Sequence, residues 1–151
     1  MGVPKSADTI ISAWNDQDEA NPSATAQILE ALNRLSLINE DIGLKQHIDH
    51  VAGHAAGRIT SSRFGQGGFM NAMDGVLSGR KLVVVGNDAK TDPLWNYAAQ
   101  KTDPRRTDCF LDIATGHKTF REKGAYLCED MRCSMPMTSV NELERLLANG
   151  L

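Results

Sequence analysis

Hydrophobic residues in the first half of the chain recur at the spacing of an amphipathic helix. Asn21-Pro22 has the composition of a helix N-cap followed by a first-turn proline. Apolar side chains then fall three or four residues apart, at Ile28, Leu32, Leu35 and Ile38. The same spacing recurs over 44–59 and over 69–77. We therefore predict three helices, the first two paired as a hairpin because the connection at Asn39-Glu40 is short.

The pattern changes from helix to strand at Arg80. Residues 81–86 form a short aliphatic and β-branched run that ends in glycine, which is typical of a strand buried on both faces. Asp92-Pro93 repeats the composition of a helix start, and residues 94–101 are predicted as a short helix. Residues 109–113 and 124–128 have the composition of two further strands. A strand, a helix and a strand in this order indicate a βαβ unit with a right-handed crossover.

The last predicted helix has the clearest boundaries, because Ser139 and Glu142 have the spacing of a capping box and Asn149-Gly150 ends the apolar stripe. The elements together predict a mixed α/β protein. It would have a helical hairpin with a third helix, then a small parallel sheet of about three strands, then a C-terminal helix. The predicted divisions are an extended lead-in over 1–20, a helical segment over 21–79 and an α/β segment over 80–151, together forming one compact domain.

Composition and charge narrow the class of protein. A chain of 151 residues, 41% hydrophobic and 23% charged, has the balance of a globular domain rather than of a disordered segment. A net charge of −3 argues against a dedicated nucleic-acid binder. No apolar run approaches the roughly 20 residues of a membrane span. The start of the chain lacks the pattern of a secretory signal, so we expect a cytoplasmic protein.

Cys128 and Cys133 form the sharpest chemical feature. The chain has 3 cysteines, an odd number that does not make a disulfide framework. Four intervening residues depart from the C-x-x-C redox spacing, and there is no second cysteine pair to complete a zinc site. We expect Cys128 to end a strand, facing inward, and Cys133 to lie in a loop near the cation of Arg132. The favoured interpretation is two structural cysteines, and the alternative is a thiol-redox site.

The loop of Gly86, Asn87 and Asp88 follows the first predicted strand, where open α/β sheets bind their ligands. It lacks the glycine-rich motifs that cradle phosphates, and the carboxylates of Asp88 and Asp92 would repel one. We therefore predict an ordinary strand-to-helix loop, with nucleotide or anion binding as the alternative, and no cofactor.

Three histidines, His47, His50 and His54, share one face of the second predicted helix. Imidazoles at this spacing could bind Zn²⁺ or Ni²⁺, but no fourth ligand is evident. We predict partly exposed histidines rather than a metal site. The acidic residues Asp16, Asp18 and Glu19 could in principle supply paired carboxylates for glycoside chemistry. Nothing in the sequence sets their geometry, so we predict a solvated acidic lead-in.

Five segments, in the same order along the chain, resemble a known family: the thioredoxin-domain-containing proteins related to the spermatogenesis-associated thioredoxin-like protein. The most characteristic are Gly124–Cys128 and the Cys133–Thr138 stretch before the last helix. The others are Lys5-Ser6 with Asn21-Pro22-Ser23, the 64–77 segment with Asn71, Ala72 and Asp74, and the strand Lys81–Gly86. The sequence departs from the family pattern at Ser23-Ala24-Thr25, where Gly-Asn is usual.

The resemblance implies that the chain corresponds to the C-terminal end of a longer architecture. Members of the family it resembles are longer chains, with a thioredoxin-like domain at the N-terminus. An (α/α) six-hairpin barrel like those of sugar epimerases and glycoside hydrolases follows it. The helices over 21–79 would then be the last barrel helices, and the α/β segment an appendage. We expect a non-catalytic module that forms a homo-oligomer or binds a partner protein supplying the missing barrel. A carbohydrate-related or thiol-redox activity, with a small sugar as a possible ligand, is the alternative.

Overall fold

A computed structural model describes residues 17–39, 42–59, 65–129 and 132–149. Of the lead-in predicted over 1–20, residues 1–16 lie outside the described part of the chain. The chain divides into two compact units, Met1–Leu77 and Ser78–Leu151, so the division falls two residues before the one predicted at 79. That the two parts form one domain stays a prediction. The combination of helices with a mixed sheet confirms the predicted α/β class.

Within the described residues, the first unit contains three helices: α1 (Ala24–Asn39), α2 (Ile42–Ile59) and α3 (Gly67–Ser78), which ends one residue past the unit boundary. The prediction of a helix start at Asn21-Pro22 is wrong by two positions. Ser23 is the N-cap, because its Oγ accepts a hydrogen bond from the amide of Ala26 at 3.2 Å. One apolar cluster joins all three helices, with Phe69 and Leu29 buried at its centre. The predicted stripes of α2 and α3 contribute to this cluster. The stripe predicted for the first helix is wrong in part: of its four residues only Leu32 packs against the cluster, whereas Ala26 and Leu29 are the buried apolar residues of α1 and Leu35 and Ile38 are exposed.

The described part of the second unit contains four strands and two α-helices. In chain order they are β1 (Arg80–Gly86), α4 (Pro93–Ala99), β2 (Arg106–Asp112), a short 3₁₀ turn (Ile113–Thr115), β3 (Gly124–Glu129), β4 (Arg132–Cys133) and α5 (Val140–Asn149). Every predicted strand and helix of this unit is present, with ends that differ by a few residues. The strand β4 was not predicted.

The four strands form one sheet in the order β2-β1-β3-β4. Strands β1 and β2 are parallel, as the βαβ prediction requires, with α4 between them in sequence. The prediction of a parallel sheet is wrong for β3, which pairs antiparallel with β1. A parallel partner needs a crossover of about a dozen or more residues, usually a helix. The connection over 113–123 contains only the 3₁₀ turn, so the chain returns in the opposite direction.

The two faces of the sheet carry separate apolar clusters. Leu82, Val84 and Leu127 lie on one face and pack against α4 and α5. Val83 and Tyr126 lie on the opposite face, where Phe120 from the 113–123 connection packs against them. The run of buried positions in β1 thus confirms the prediction of a strand buried on both faces.

The helix caps of the second unit follow the predicted sequence signals. The Asp92 carboxylate accepts the amides of Leu94 and Trp95 at the start of α4, with Pro93 as the first helical residue. In α5, Glu142 accepts the amides of Thr138 and Ser139, and these two hydrogen bonds lower the pKa of its carboxyl group.

The capping box of α5 gives a first testable expectation. The amide of Glu142 donates to Ser139 Oγ at 3.3 Å. The Ser139→Ala variant loses this acceptor and should reduce the free energy of unfolding by about 1 kcal/mol. Urea denaturation followed by circular dichroism measures it. Thr138→Ala is the matched control, since the Thr138 amide rather than its side chain contacts Glu142. Equal losses in the two variants would contradict the assignment of Ser139 as the cap.

Candidate functional site

A disulfide joins Cys128 and Cys133 at the edge of the sheet. Cys128 is on β3 and is 5% exposed, whereas Cys133 is on β4 and is exposed. The expectation that Cys128 ends a strand facing inward is confirmed, but Cys133 lies in a two-residue edge strand rather than in a loop. The odd cysteine count hid the pairing, because the third cysteine, Cys109, lies outside the disulfide. We call the joined pair the edge disulfide.

The frame around the edge disulfide is made of backbone pairing between β3 and the segment that follows it. The residues Cys128 and Cys133 are directly opposite each other in the antiparallel register. Next to them, the Ser134 amide donates to the Leu127 carbonyl at 2.8 Å, and the Leu127 amide donates to Ser134 Oγ at 3.1 Å. Ala125 and Met137 exchange two further backbone hydrogen bonds. Non-covalent contacts thus hold the two cysteines in register.

Lys81 lies directly across from Cys128 on the neighbouring strand β1. Residues directly opposite in an antiparallel pair extend their side chains on the same face of the sheet. Lys81 is only 6% exposed, and its Nζ lies 5.6 Å from the centre of the Phe120 ring, a cation–π contact. A buried ammonium group and a buried sulfur therefore share one face of the sheet, a juxtaposition that the sequence pattern did not indicate.

The loop after β1 has a self-contained network. Asp88 accepts hydrogen bonds from the amide of Lys90 and the hydroxyl of Thr91, while Asp92 caps α4. A Cβ added at Gly86 would come within 2.5 Å of Asp92 Oδ2, so a carboxylate lies against the end of the strand. The backbone amides that could donate to a bound anion already donate to these two carboxylates. Nothing in this geometry favours nucleotide binding at Gly86, Asn87 and Asp88.

The structure describes the side chains of two of the three histidines predicted to share a face of α2. His47 and His50 lie on α2 with exposed side chains, and the side chain of His54 lies outside the described residues. Among the residues that the structure describes, no group of three or more histidine, cysteine or carboxylate side chains could hold a metal ion.

Asp18 has a role that the sequence analysis missed. Its Oδ1 accepts the amide of Ser23 at 2.7 Å, and its Oδ2 accepts the amide of Gly68 at 2.5 Å. The Asp18 amide also donates to the carbonyl of Gly65. The two hydrogen bonds to its carboxylate lower the pKa of Asp18. The expectation of a solvated acidic lead-in is wrong at this residue, which connects the starts of α1 and α3.

Apolar side chains are exposed on the first unit, which we call the helical unit. Leu35 and Ile38 near the end of α1 are 46% and 47% exposed. Met70 and Leu77, seven residues apart on one face of α3, are 54% and 75% exposed. Other residues of both helices are buried in the shared cluster.

No protein-family model matches this sequence, and no curated protein matches it. Among the described helices, none is both long and apolar enough to cross a bilayer.

Proposed function

We propose that the chain is a non-catalytic module that acts through protein contacts, and that it associates with a second copy of itself through the helical unit. The observation that carries the proposal is the exposure of Leu35 and Ile38 on α1 together with Met70 and Leu77 on α3. Burial of apolar side chains contributes roughly 25 cal/mol per Å². Covering these side chains would therefore favour association through α1 and α3.

The resemblance noted in the sequence supports the same proposal. Helices that close an (α/α) barrel have apolar side chains on more than one face, because each helix contacts neighbours on several sides. Removed from those neighbours, such helices would expose apolar residues of the kind seen on α1 and α3. A second copy supplies the same helices, and symmetric pairs are the commonest assemblies of soluble proteins. A partner carrying the missing helices is the alternative occupant.

The test is the molar mass in solution. Size-exclusion chromatography with light scattering of the full chain should give a mass of two chains or more at high concentration. The Leu35→Glu and Ile38→Glu variants should each weaken association by about tenfold or more, since each places a charge in the apolar contact. The control is Gln46→Glu, which adds the same charge at an exposed polar position of α2.

The outcomes are distinct. Circular dichroism should show that the variants at Leu35 and Ile38 keep their helical content, because both side chains are exposed in the single chain. A mass of one chain at the highest soluble concentration would overturn self-association. Equal weakening by Gln46→Glu would show that net charge, rather than the apolar surface, governs the assembly.

A further inference from the structure

The edge disulfide presents its two sulfur atoms to solvent unequally. Cys133 is exposed on the outermost strand, while Cys128 is 5% exposed and packs in the apolar cluster with Phe120 and Tyr126. Thiol–disulfide exchange begins when a thiolate attacks one sulfur in line, and access decides which sulfur is attacked. An incoming thiolate therefore reaches Cys133, and Cys128 becomes the leaving group.

The charge beside Cys128 suits a leaving thiolate. Lys81 is opposite Cys128 in the register, is buried on the same face, and carries an ammonium group above Phe120. A neighbouring cation stabilises a thiolate and makes that sulfur a better leaving group. The charged side chains of Glu129 and Arg132 are on the alternate face of the same strands, one residue removed from the disulfide. Lys81 is therefore the cation placed to act on Cys128.

The frame keeps the two sulfurs close after the bond opens. The hydrogen bonds of Leu127 with Ser134 and of Ala125 with Met137 are made by residues other than the two cysteines. The released Cys128 thiolate stays opposite Cys133 and can attack a mixed disulfide formed there. The opening is thus reversible within a folded protein, which is what a reactive pair requires.

We propose that Cys133 is a thiol-exchange site for a small thiol such as glutathione, with Cys128 as the resolving cysteine and Lys81 as a positioning residue. The glutathione thiolate attacks Cys133 Sγ, a new sulfur–sulfur bond forms there, and the electron pair of the broken bond passes to Cys128 Sγ. A second glutathione thiolate can then attack the bound glutathione sulfur. This releases oxidised glutathione and leaves two reduced cysteines, so two electrons pass from glutathione to the protein. The proposal is independent of self-association.

The experiment uses the full chain with Cys109→Ala, which removes the cysteine on β2 that lies outside the disulfide. The oxidised protein is incubated with reduced glutathione, quenched with acid and analysed by intact-mass and peptide mass spectrometry. We expect glutathione to open the disulfide, and the adduct trapped by the acid before it is resolved should be at Cys133 rather than at Cys128. Two further variants test the asymmetry with oxidised glutathione as the probe. The variant with Cys128→Ala should be modified at Cys133 about tenfold faster or more than the variant with Cys133→Ala is modified at Cys128, because Cys128 is buried.

The role of Lys81 is tested by the rate at which glutathione opens the disulfide. Lys81→Met should slow the opening about fivefold or more, and Lys81→Arg should restore most of the rate, because the charge rather than the shape acts on the leaving sulfur. A purely structural role would not distinguish the two variants in this way. The cysteine comparison does not depend on Lys81, so it decides the exchange site even where Lys81→Met fails to fold.

Two results would overturn the proposal. One is modification of Cys128 and Cys133 at equal rates, which would remove the basis for attack at Cys133. The other is an oxidised protein that glutathione leaves unmodified and unreduced in the folded state, which would make the edge disulfide a purely structural link. Full opening at the same rate in Lys81→Met and Lys81→Arg would retain the site at Cys133 and overturn the role of Lys81.

Discussion

Replacing Gly124 with alanine should destabilise the second unit by about 3 kcal/mol or more, from backbone strain and overpacking together. Gly124 begins β3 with φ of 144°, a conformation that residues with a side chain rarely adopt. A Cβ added there would lie 2.7 Å from the carbonyl oxygen of Met137. That carbonyl accepts the amide of Ala125, so relieving the contact would also disturb the pairing that follows β4. Chemical denaturation followed by the fluorescence of Trp95, which packs in this unit, measures the loss.

Gly116 is the matched control for this prediction. It also has a positive φ, of 65°, but no atom lies within 4 Å of the position where a Cβ would be. Gly116→Ala should therefore cost only the backbone term, about 1–2 kcal/mol. A loss at Gly116 equal to or greater than the loss at Gly124 would show that the close approach of Met137 has no energetic consequence.

Replacing Asp18 with alanine should lower the stability of the helical unit by about 2–3 kcal/mol, because two backbone amides lose a charged acceptor. These amides belong to Ser23 and Gly68, at the starts of α1 and α3. Neither amide has a partner within its own helix at that position, so the carboxylate satisfies both. Helical ellipticity during urea denaturation reports the change. Glu19→Ala, one residue away at an exposed position, is the control and should stay close to the parent protein.

The same residue gives an expectation for pH. The pKa of Asp18 is lowered in the folded protein by its hydrogen bonds to Gly68 and Ser23. A lowered folded pKa means that the contribution is fully present above the unfolded value, about 4. It is lost as the pH falls from there through the folded pKa. The stability difference between the parent protein and Asp18→Asn should thus be constant near neutral pH and shrink below about pH 4. A difference independent of pH in that range would contradict the charged role of Asp18.

Much of the fold could be predicted because its signals are local. Asp92-Pro93 and the pair Ser139 and Glu142 cap helices within four residues of themselves, and the structure shows both caps as predicted. The apolar run of β1 is buried on both faces, as its composition indicates. The start of α1 was predicted less accurately. Asn21-Pro22 has the composition of a cap, but the side chains of Asp18 and Ser23 accept the amide hydrogen bonds at this helix start.

The candidate site was predictable only in part. Cys128 and Cys133 were identified as the notable cysteines, and the burial of Cys128 followed from its place at the end of a strand. Their bond did not follow, because β4 is two residues long and has no pattern of its own. The position of Lys81 opposite Cys128 depends on the register between β1 and β3, which are separated along the chain by α4 and β2. A better signal would have been the lysine immediately before the aliphatic run of β1.

The sequence by itself determined the order and the approximate ends of the elements, because periodicity, caps and β-branched runs act within a few residues along the chain. Only the tertiary structure decided the antiparallel direction of β3, the joining of Cys128 to Cys133, the position of Lys81 beside them and the role of Asp18. Each of these depends on pairing between parts of the chain that are distant in sequence. Asp18 and Gly68 are 50 residues apart, and the free energy of such a contact depends on the packing of everything between them.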